Sequence, residues 1–460
     1  MARLLQYSDV ENVYDDPVRA GRLAGRLREL SGPDALVVGT GDNTAPGVVA
    51  LAARGRQALD LFDAVDTGFE TFGNHDFDFG PRATLDVVSD SNVAWVSANV
   101  HSDGDRFGRG DGVVPHAVAR IDGERVGLVG VTDPATGSLN PMAADVTFTD
   151  PVEAVREAVD SLGSVDHVVA LSHLGAGDDA LAALDGIDAV LGGHVHSRRN
   201  EVVKGTRCTR PGVNGAAVCE VDLATGEATL HETTSADPYE PLVESLERRV
   251  VAAGFDEVLA RVDEPLHRDH GTVFGGECRV GNLVADAYRW ATESDVGLQN
   301  SGGIREGPPL SGRVTTGDLV SLVPFEEQVV TAEVTGRELE AILRESAGEN
   351  LAFGDPDWWH GHVSGVSMTV SGEGVTDVLV GGEPLDPAAT YTVGTSDYLL
   401  HTDHEFPTLD QHHRAGRSAS STRCSGRTRG RRGSTRGSMD ESGNEPQQKR
   451  SGRRSVFPRV

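Results

Sequence analysis

The amino-acid sequence predicts an α/β protein with two domains and a connecting helix. Over the first 235 residues, short apolar runs such as Val168–Leu171 alternate with amphipathic stretches such as Pro17–Leu30, the pattern of strands and helices in α/β domains. Polar clusters directly follow several of the apolar runs. A helical stretch then leads into a second region of mixed pattern, which begins near residue 263.

The domain boundaries follow from these changes in pattern. Residues 1–235 form the first domain, in which runs such as Ala35–Val38 suit strands buried on both faces of a mainly parallel sheet. Residues 236–262 carry apolar side chains at helical spacing and are predicted to form the connecting helix. Residues 263–412 form the second domain, again of mixed α and β type.

Residues 413–460 differ in composition from the rest of the chain. They contain 13 Lys or Arg residues against 3 Asp or Glu residues and are rich in Ser and Gly, which predicts a basic, disordered tail. One interpretation is a nucleic-acid tether. We favour a frameshift product, because GC-rich codons for Arg417–Ser425, read one base out of frame, can encode the ordinary helical sequence EVGLQHEVL. Resequencing of the locus tests this interpretation.

The composition of the chain is strongly acidic. The formal net charge is -30, and Lys204 and Lys449 are the only lysines. Such a surface suits a cytosol with a high salt concentration, where the repulsion between carboxylates is screened; an acidic protein from a GC-rich genome is the alternative. In either case, bulk charge gives the core domains no affinity for nucleic acid.

The sequence also indicates a compartment. The first residues enter a strand at Leu4 without a charged and apolar leader, and no apolar run approaches the ~20 residues that span a bilayer. We therefore expect a cytoplasmic protein without a membrane partner; the pattern does not indicate an oligomeric state. The cysteines lack the spacing of a zinc ribbon or disulfide framework; they are Cys208, Cys219, Cys278 and Cys424.

The polar clusters of the first domain contain side chains that ligate divalent metals. In chain order they are Asp9-Val10-Glu11, Gly41-Asp42-Asn43, Gly73-Asn74-His75-Asp76-Phe77-Asp78, Ser172-His173 and Gly192-Gly193-His194-Val195-His196. Because several of them follow predicted strands, we expect the side chains to gather where those strands end.

Two divalent metals held ~3.5–4 Å apart can clamp the attacking and the leaving oxygen of a phosphoryl displacement. This chemistry requires a bridging carboxylate and a mixture of oxygen and nitrogen ligands. We assign two ligand sets that share Asp42 as the bridge. The first set is Asp9, Glu11, Asp42 and His196, and the second set is Asp42, Asn74, His173 and His194.

The order of these clusters resembles that of the calcineurin-like metallophosphoesterases. The stretch Gly73–Gly80, Gly-Asn-His-Asp-Phe-Asp-Phe-Gly, is similar to the form in their 5′-nucleotidase branch. The resemblance implies a four-layer α/β/β/α catalytic domain, followed by a mixed α/β substrate-recognition domain. It also implies a catalytic dyad in which His75, as imidazolium, stabilises charge on the phosphoryl group or leaving oxygen and Asp78 orients it.

One departure from the family concerns the first motif. The family usually has Asp-x-His, where this chain has Asp9-Val10-Glu11. If Glu11 is a ligand, the first set contains three carboxylates and one imidazole, which favours Mn²⁺, with Mg²⁺ or Zn²⁺ as the other candidates. The alternative is that Glu11 caps the following turn and the first metal site is weakened or lost.

Three segments of the second domain resemble the substrate-recognition domain of the 5′-nucleotidases. They are Cys278–Ala287, Asp295–Arg305 and Pro324-Phe325. The resemblance places stacking aromatics at Phe325 and Tyr398 and polar contacts at Asn300 and Arg305. An aromatic pair can hold a base, and a guanidinium offers a forked donor to phosphate.

This region also departs from the family. An arginine that the family often has before the glutamate matching Glu277 is missing, and Arg279 is the candidate to replace it. The Gly-Gly-Asp-Gly-aromatic loop appears as Thr402-Asp403-His404-Glu405-Phe406 without its glycines. The base pocket is therefore predicted to differ from that of the family.

The resemblance implies a metal-dependent 5′-nucleotidase that releases phosphate from nucleoside monophosphates. An alternative keeps the metals and changes the substrate to a 2′,3′-cyclic nucleotide, a nucleotide sugar or a sulfur ester. Another alternative is a non-catalytic nucleotide- or metal-binding protein that lost its first metal site because Glu11 replaces the family's histidine.

Overall fold

The structure is a computed structural model that describes residues 2–353, 355–371 and 374–415. They fall into two units. The first unit runs to residue 270 and also contains Gly302–Glu327, whereas the second contains Gly271–Ser301 and resumes at Gln328. The sequence predicted a single boundary at residue 263, whereas the structure returns Gly302–Glu327 to the first unit. The reason is that Leu310–Thr315, in this segment, pairs with Val258–Leu266 of the first unit.

The elements are numbered in chain order. The strands are β1 (Arg3–Tyr7), β2 (Ala35–Gly39), β3 (Phe69–Glu70), β4 (Ala94–Trp95), β5 (Val100–Ser102), β6 (Asp105–Arg106), β7 (His116–Ile121), β8 (Glu124–Thr132), β9 (Thr147–Phe148), β10 (His167–His173), β11 (Ala189–Gly192), β12 (Arg199–Val203), β13 (Thr206–Arg210), β14 (Ala217–Asp222), β15 (Ala228–Glu232), β16 (Val258–Leu266), β17 (Val296–Asn300), β18 (Leu310–Thr315), β19 (Val329–Thr335), β20 (Gly361–Ser364), β21 (Val366–Ser371), β22 (Gly374–Val380), β23 (Glu383–Pro384) and β24 (Thr390–Ser396). The α-helices are α1 (Pro17–Leu30), α2 (Val48–Ala53), α3 (Ala58–Val65), α4 (Pro81–Asp90), α5 (Thr136–Leu139), α6 (Pro151–Ser161), α7 (Asp178–Leu181), α8 (Glu240–Ala252), α9 (His270–Val273), α10 (Arg279–Thr292), α11 (Thr316–Val320), α12 (Gly336–Glu345) and α13 (Tyr398–His401).

Two six-stranded sheets form the centre of the first unit. One has the order β15-β14-β1-β2-β3-β4 and the other has the order β12-β13-β11-β10-β8-β7. Strands β1 to β4 are parallel to one another, and so are β8, β10, β11 and β13. The carboxyl ends of the parallel strands in each sheet therefore lie at the same edge.

The alternation of side chains along these strands separates three apolar layers. Leu4 and Leu171, from different sheets, belong to one buried cluster that fills the space between the sheets. Leu5 points to the opposite face and packs with residues of α1, α3 and α8. On the other sheet, Ala170 packs with Val155 of α6. Helices thus cover both outer faces, and the predicted α/β/β/α layering is confirmed.

The predicted connecting helix is shorter than the pattern indicated. Helix α8 ends at Ala252, Gly254 has a φ of 73°, and the Phe255 N–H donates to the Val250 carbonyl. A glycine in this left-handed conformation ends a helix without steric cost. The following residues enter β16, whose β-branched Val258 and Val262 favour a strand.

The second unit contains a four-stranded sheet of order β19-β24-β17-β20 and a three-stranded sheet of order β21-β22-β23. Its core combines strand residues such as Val296 and Val393 with Leu339 and Ile342 of α12. Cys278 caps the N-terminus of helix α10, and its sulfur accepts a hydrogen bond from the Gly281 N–H. This unit is therefore also of mixed α/β type, as predicted.

The last described residues pair with the second unit. Arg414 forms a β-bridge with Ala332, and the Ala415 N–H donates to the Thr331 carbonyl. The rest of the predicted basic tail, with Cys424, lies outside the described residues. Among the residues that are described, no helix has the length and apolar character needed to cross a membrane.

Candidate active site

The ends of two neighbouring strands place the first acidic side chains of the site. Strands β1 and β2 are parallel, and the Asp9 N–H donates to the Gly41 carbonyl over 3.0 Å just beyond them. Asp9 and Asp42 are both buried and have φ values of 47° and 54°. Non-glycine residues in this left-handed region concentrate at functional sites, where the surrounding structure holds them in place.

The other sheet contributes histidines at the same edge. His173 ends β10, and its Nδ1 donates to the Thr40 carbonyl over 2.7 Å, which directs Nε2 toward Asp42 Oδ2 at 3.0 Å. His194 follows β11, and its Nδ1 donates to Asn74 Oδ1 over 2.9 Å. A Cβ at Gly73 would lie 2.2 Å from Asp42 Oδ1, so only glycine permits this approach.

These side chains form groups with the spacing of metal ligands. Within each group, one ligand atom from each residue lies within 4.8 Å of the others; the groups are Asp42, His173 and His194; Asp9, Glu11 and His196; and Glu11, Asp42 and His75. The first two groups bring together members of the two predicted ligand sets, and Asn74 contacts His194 beside the first of them. The roles of these residues as ligands remain predictions.

Two buried atoms of these groups lack a hydrogen-bond partner among the described residues. They are Glu11 Oε1 and His173 Nε2. Glu11 Oε1 lies 3.0 Å from His196 Nε2, and His173 Nε2 lies 3.0 Å from Asp42 Oδ2, but neither pair has the alignment of a hydrogen bond. Because buried polar atoms in folded proteins are normally satisfied, these atoms fit a divalent cation held by carboxylates and imidazoles.

The side-chain contacts of Glu11 are with other side chains of the site. Glu11 begins the short 3-10 helix Glu11–Asp15, whose N-cap position is Val10. Its carboxylate contacts His196 and Arg305, and its role as a metal ligand stays a prediction. Burial opposes its ionisation, but the nearby positive charges of Arg305 and His196 outweigh burial and lower the pKa of Glu11 to about 2.

The predicted dyad has the geometry of an oriented imidazolium. His75 Nδ1 lies 3.0 Å from Asp78 Oδ2, and Asn140 Nδ2 donates to Asp78 Oδ1 over 2.8 Å. Burial works against the charged imidazole, but the carboxylates of Asp78 and Asp42 outweigh it and raise the pKa of His75 to about 9. The carboxylates around His75 therefore favour the charged form of its imidazole.

Three residues that support the site were not predicted from the sequence. Asp76 accepts hydrogen bonds from the N–H groups of Gly73, Asp42, Asn43 and Thr44, which ties two site loops together. Asn140 orients Asp78, as described above, and Asp133 Oδ2 lies 3.3 Å from His194 Nε2. Asp133 follows β8, the neighbour of β10, so the rule of polar residues after strands applies to it as well.

Two predicted substrate residues belong to the first unit. Gly302–Glu327 places the Phe325 ring 6.1 Å from the His75 ring at an interplanar angle of 26°. The Arg305 guanidinium lies 5.7 Å from the centre of the same ring. The structure thus brings Arg305 and Phe325 to the predicted metal ligands.

The other predicted substrate residues belong to the second unit. Asn300 Nδ2 and the Tyr398 hydroxyl donate to the Glu405 carboxylate over 2.9 and 3.1 Å. Asn300 Oδ1 also accepts a hydrogen bond from Gln299, so the buried Asn300 amide is satisfied within this unit. Arg279 is the first residue of α10. Glu405, which occupies the loop that lost its glycines, was not predicted as the acceptor of this network.

Two regions of the chain match known protein families, in the order that the motifs predicted. Calcineurin-like phosphoesterase matches residues 2–198, and 5′-nucleotidase, C-terminal domain, matches residues 258–411. The second region includes Gly302–Glu327, which belongs to the first unit.

Individual proteins agree with these matches. A solved 5′-nucleotidase precursor from Thermus thermophilus is 25% identical, with a TM-score of 0.73 over 90% of this chain and 92% of that chain. The 5′-nucleotidase of Diplobatis ommata is 26% identical over 70% of this chain and 64% of its own length. Endonuclease YhcR of Bacillus subtilis (strain 168) is 26% identical over 73% of this chain. This chain spans only 30% of the Bacillus protein's length.

Proposed function

Because this chain belongs to the 5′-nucleotidase family, with a calcineurin-like phosphoesterase region and a 5′-nucleotidase C-terminal region, we propose that it releases phosphate from nucleoside 5′-monophosphates. The observation that carries the proposal is the grouping of buried carboxylates with histidine imidazoles at one edge of the two sheets. Nucleotidases among the relatives support a nucleotide substrate.

Two divalent ions, when bound by the two ligand sets, polarise water and neutralise the charge of the phosphoryl group. Asp42 Oδ1 accepts a hydrogen bond from the His75 N–H over 2.7 Å, and Oδ2 lies 3.0 Å from His173 Nε2. Asp42 also lies at ligand spacing from Glu11, so it would be the carboxylate that the two ligand sets share. We propose Mn²⁺ as the metal, since three carboxylates in the first set favour a hard cation, with Mg²⁺ or Zn²⁺ as the other candidates.

The dyad supplies the proton-transfer and charge-stabilising groups of the proposed reaction. His75 Nδ1 faces Asp78, which leaves Nε2 to act toward the leaving oxygen. Asp78 keeps the imidazole charged, and Asn140 keeps Asp78 in place. A positioned acid of this kind contributes ~10²–10⁴-fold to the rate.

The substrate is proposed to contact residues near this dyad. Arg305 presents a forked donor suited to phosphate, and Phe325 offers an aromatic face beside His75. For the second unit taken by itself, the resemblance implies that Tyr398 stacks against a base and that Asn300 and Arg279 provide polar contacts. Glu405 holds Tyr398 and Asn300 in a common network.

We expect Mn²⁺-dependent phosphate release from nucleoside monophosphates in high salt. The measurement uses a panel of mononucleotides, cyclic nucleotides and nucleotide sugars, with Mn²⁺ and then with Zn²⁺. The full chain is compared with a chain that ends at Ala415, so that any effect of residues 416–460 is separated from the site. Turnover restricted to cyclic nucleotides or nucleotide sugars would reassign the substrate. Absence of hydrolysis by both chains across the whole panel would refute the proposed activity.

A further inference from the structure

The Glu11 carboxylate has two kinds of neighbour. Glu11 is 2% exposed, and its Oε1 lies 3.0 Å from His196 Nε2, a member of the same predicted ligand set. The other oxygen, Oε2, accepts a hydrogen bond from Arg305 Nη2. One oxygen therefore faces the proposed metal position while the other is held by a cation of the chain itself.

Arg305 is held in this position by its own segment. Its N–H donates to the Leu322 carbonyl over 2.9 Å, and its guanidinium approaches the ring of Phe325. A separate ion pair of 2.7 Å between Arg54 and Glu326 anchors the same segment to the unit. The pairing of Arg305 with Glu11 is thus part of the folded unit and differs from a loose surface ion pair, because both side chains are largely buried.

This arrangement creates competition for one carboxylate. Glu11 is the third carboxylate of the first ligand set, beside Asp9 and Asp42, and Arg305 supplies a compensating positive charge. A divalent cation in the first set brings two further positive charges close to the guanidinium. Like charges in a buried, weakly screened site repel strongly. With Arg305 on Oε2, a cation at Oε1 would share the carboxylate with the guanidinium, so each positive charge weakens the contact of the other with Glu11.

We propose that Arg305 is a built-in competitor of the first metal: it holds Glu11 in the metal-free protein and releases it when the first ligand set binds a divalent cation. The released guanidinium then faces the phosphate of the substrate. This inference rests on the two-metal site of the proposed function and adds an order of events to it. Arg305 also becomes a positioning residue for Glu11.

The test measures metal binding without substrate. Metal-free full-length chain is titrated with Mn²⁺ alone in a calorimeter, in the wild-type form and as Arg305→Met. Loss of the competing charge is expected to tighten the weaker Mn²⁺ site by about tenfold, within the usual range of coupling between two ligands. Arg54→Met, which breaks the other ion pair of the same segment, serves as the matched control and should leave both Mn²⁺ affinities unchanged.

A second measurement needs no substitution and therefore does not depend on the folding of a variant. Arg305 of the wild-type chain is labelled with phenylglyoxal, and the modified peptide is quantified with and without saturating Mn²⁺. Release of the guanidinium predicts faster labelling of Arg305 in the presence of Mn²⁺, with Arg54 as the internal reference. Equal or slower labelling of Arg305 contradicts the proposal.

The outcomes separate this inference from the proposed function. Two Mn²⁺ sites whose affinities are the same in wild-type and Arg305→Met protein overturn the competition and leave the two-metal enzyme standing. Weaker Mn²⁺ binding in Arg305→Met also overturns it, because the guanidinium would then support the metal. Absence of Mn²⁺ binding to the wild-type chain overturns both.

Discussion

Substitution of Asp42 by asparagine is expected to abolish phosphate release. The substitution keeps the size of the side chain and removes the charge that both ligand sets share. The loss in kcat should exceed the ~10²–10³-fold that removal of one transition-state hydrogen-bond donor costs, because the proposed bridge serves both metals. Steady-state phosphate release and the number of bound Mn²⁺ ions are measured on the same preparation.

Asp60→Asn is the matched control for this experiment. Asp60 is also a partly buried carboxylate of the first unit, and it accepts hydrogen bonds from Arg249 and Ser245 on α8. Its substitution tests the effect of losing a structural carboxylate on activity, and kcat should change little. An Asp42→Asn protein that retains activity within about tenfold of wild type, a loss far smaller than removal of a key electrostatic group causes, would rule out Asp42 as the bridge.

The second large effect is expected for His75→Asn. Loss of the imidazole removes the proposed acid, and kcat should fall by ~10²–10⁴-fold. The number of bound Mn²⁺ ions should stay the same, because His75 belongs to neither predicted ligand set. His231→Asn is the control, since His231 pairs with Glu220 over 2.7 Å on β15 and β14.

The metal count matters because the structure also groups His75 with Glu11 and Asp42 at ligand spacing. If His75 ligates a metal, His75→Asn lowers the Mn²⁺ count together with kcat. The hydrogen bonds between His75 and Asp78 argue for the dyad, since they occupy Nδ1 and hold the ring against a carboxylate. Loss of one Mn²⁺ ion from the variant would contradict that role.

Much of the site was predictable from local sequence. Asp9, Asp42 and His173 follow apolar strands, and parallel strands of a sheet bring their carboxyl ends to one edge. The layering of the first unit follows from the same strands, because residues buried on both faces require helices on the outer sides. The order of the polar clusters along the chain then indicated the family, which the matches to known families agree with.

The remaining features depend on long-range packing. The partner of Glu11 lies 294 residues away in sequence, in a segment that the pattern assigned to the second domain. Hydrophobic periodicity gives no information on which unit Gly302–Glu327 joins, because that choice depends on the pairing of β18 with β16. Likewise, the role of Glu405 as a shared acceptor requires Asn300 and Tyr398 to converge from separate strands and helices.

The decisive quantity for a two-metal nucleotidase is the number of Mn²⁺ ions that activate each chain. Metal-free full-length protein is titrated with Mn²⁺, and binding and phosphate release from a nucleoside monophosphate are recorded at each step. Two ions are expected to bind each chain, with activity that appears as the weaker site fills. Full activity with one bound ion, or two bound ions without phosphate release, would contradict a two-metal nucleotidase that uses Glu11 in its first site.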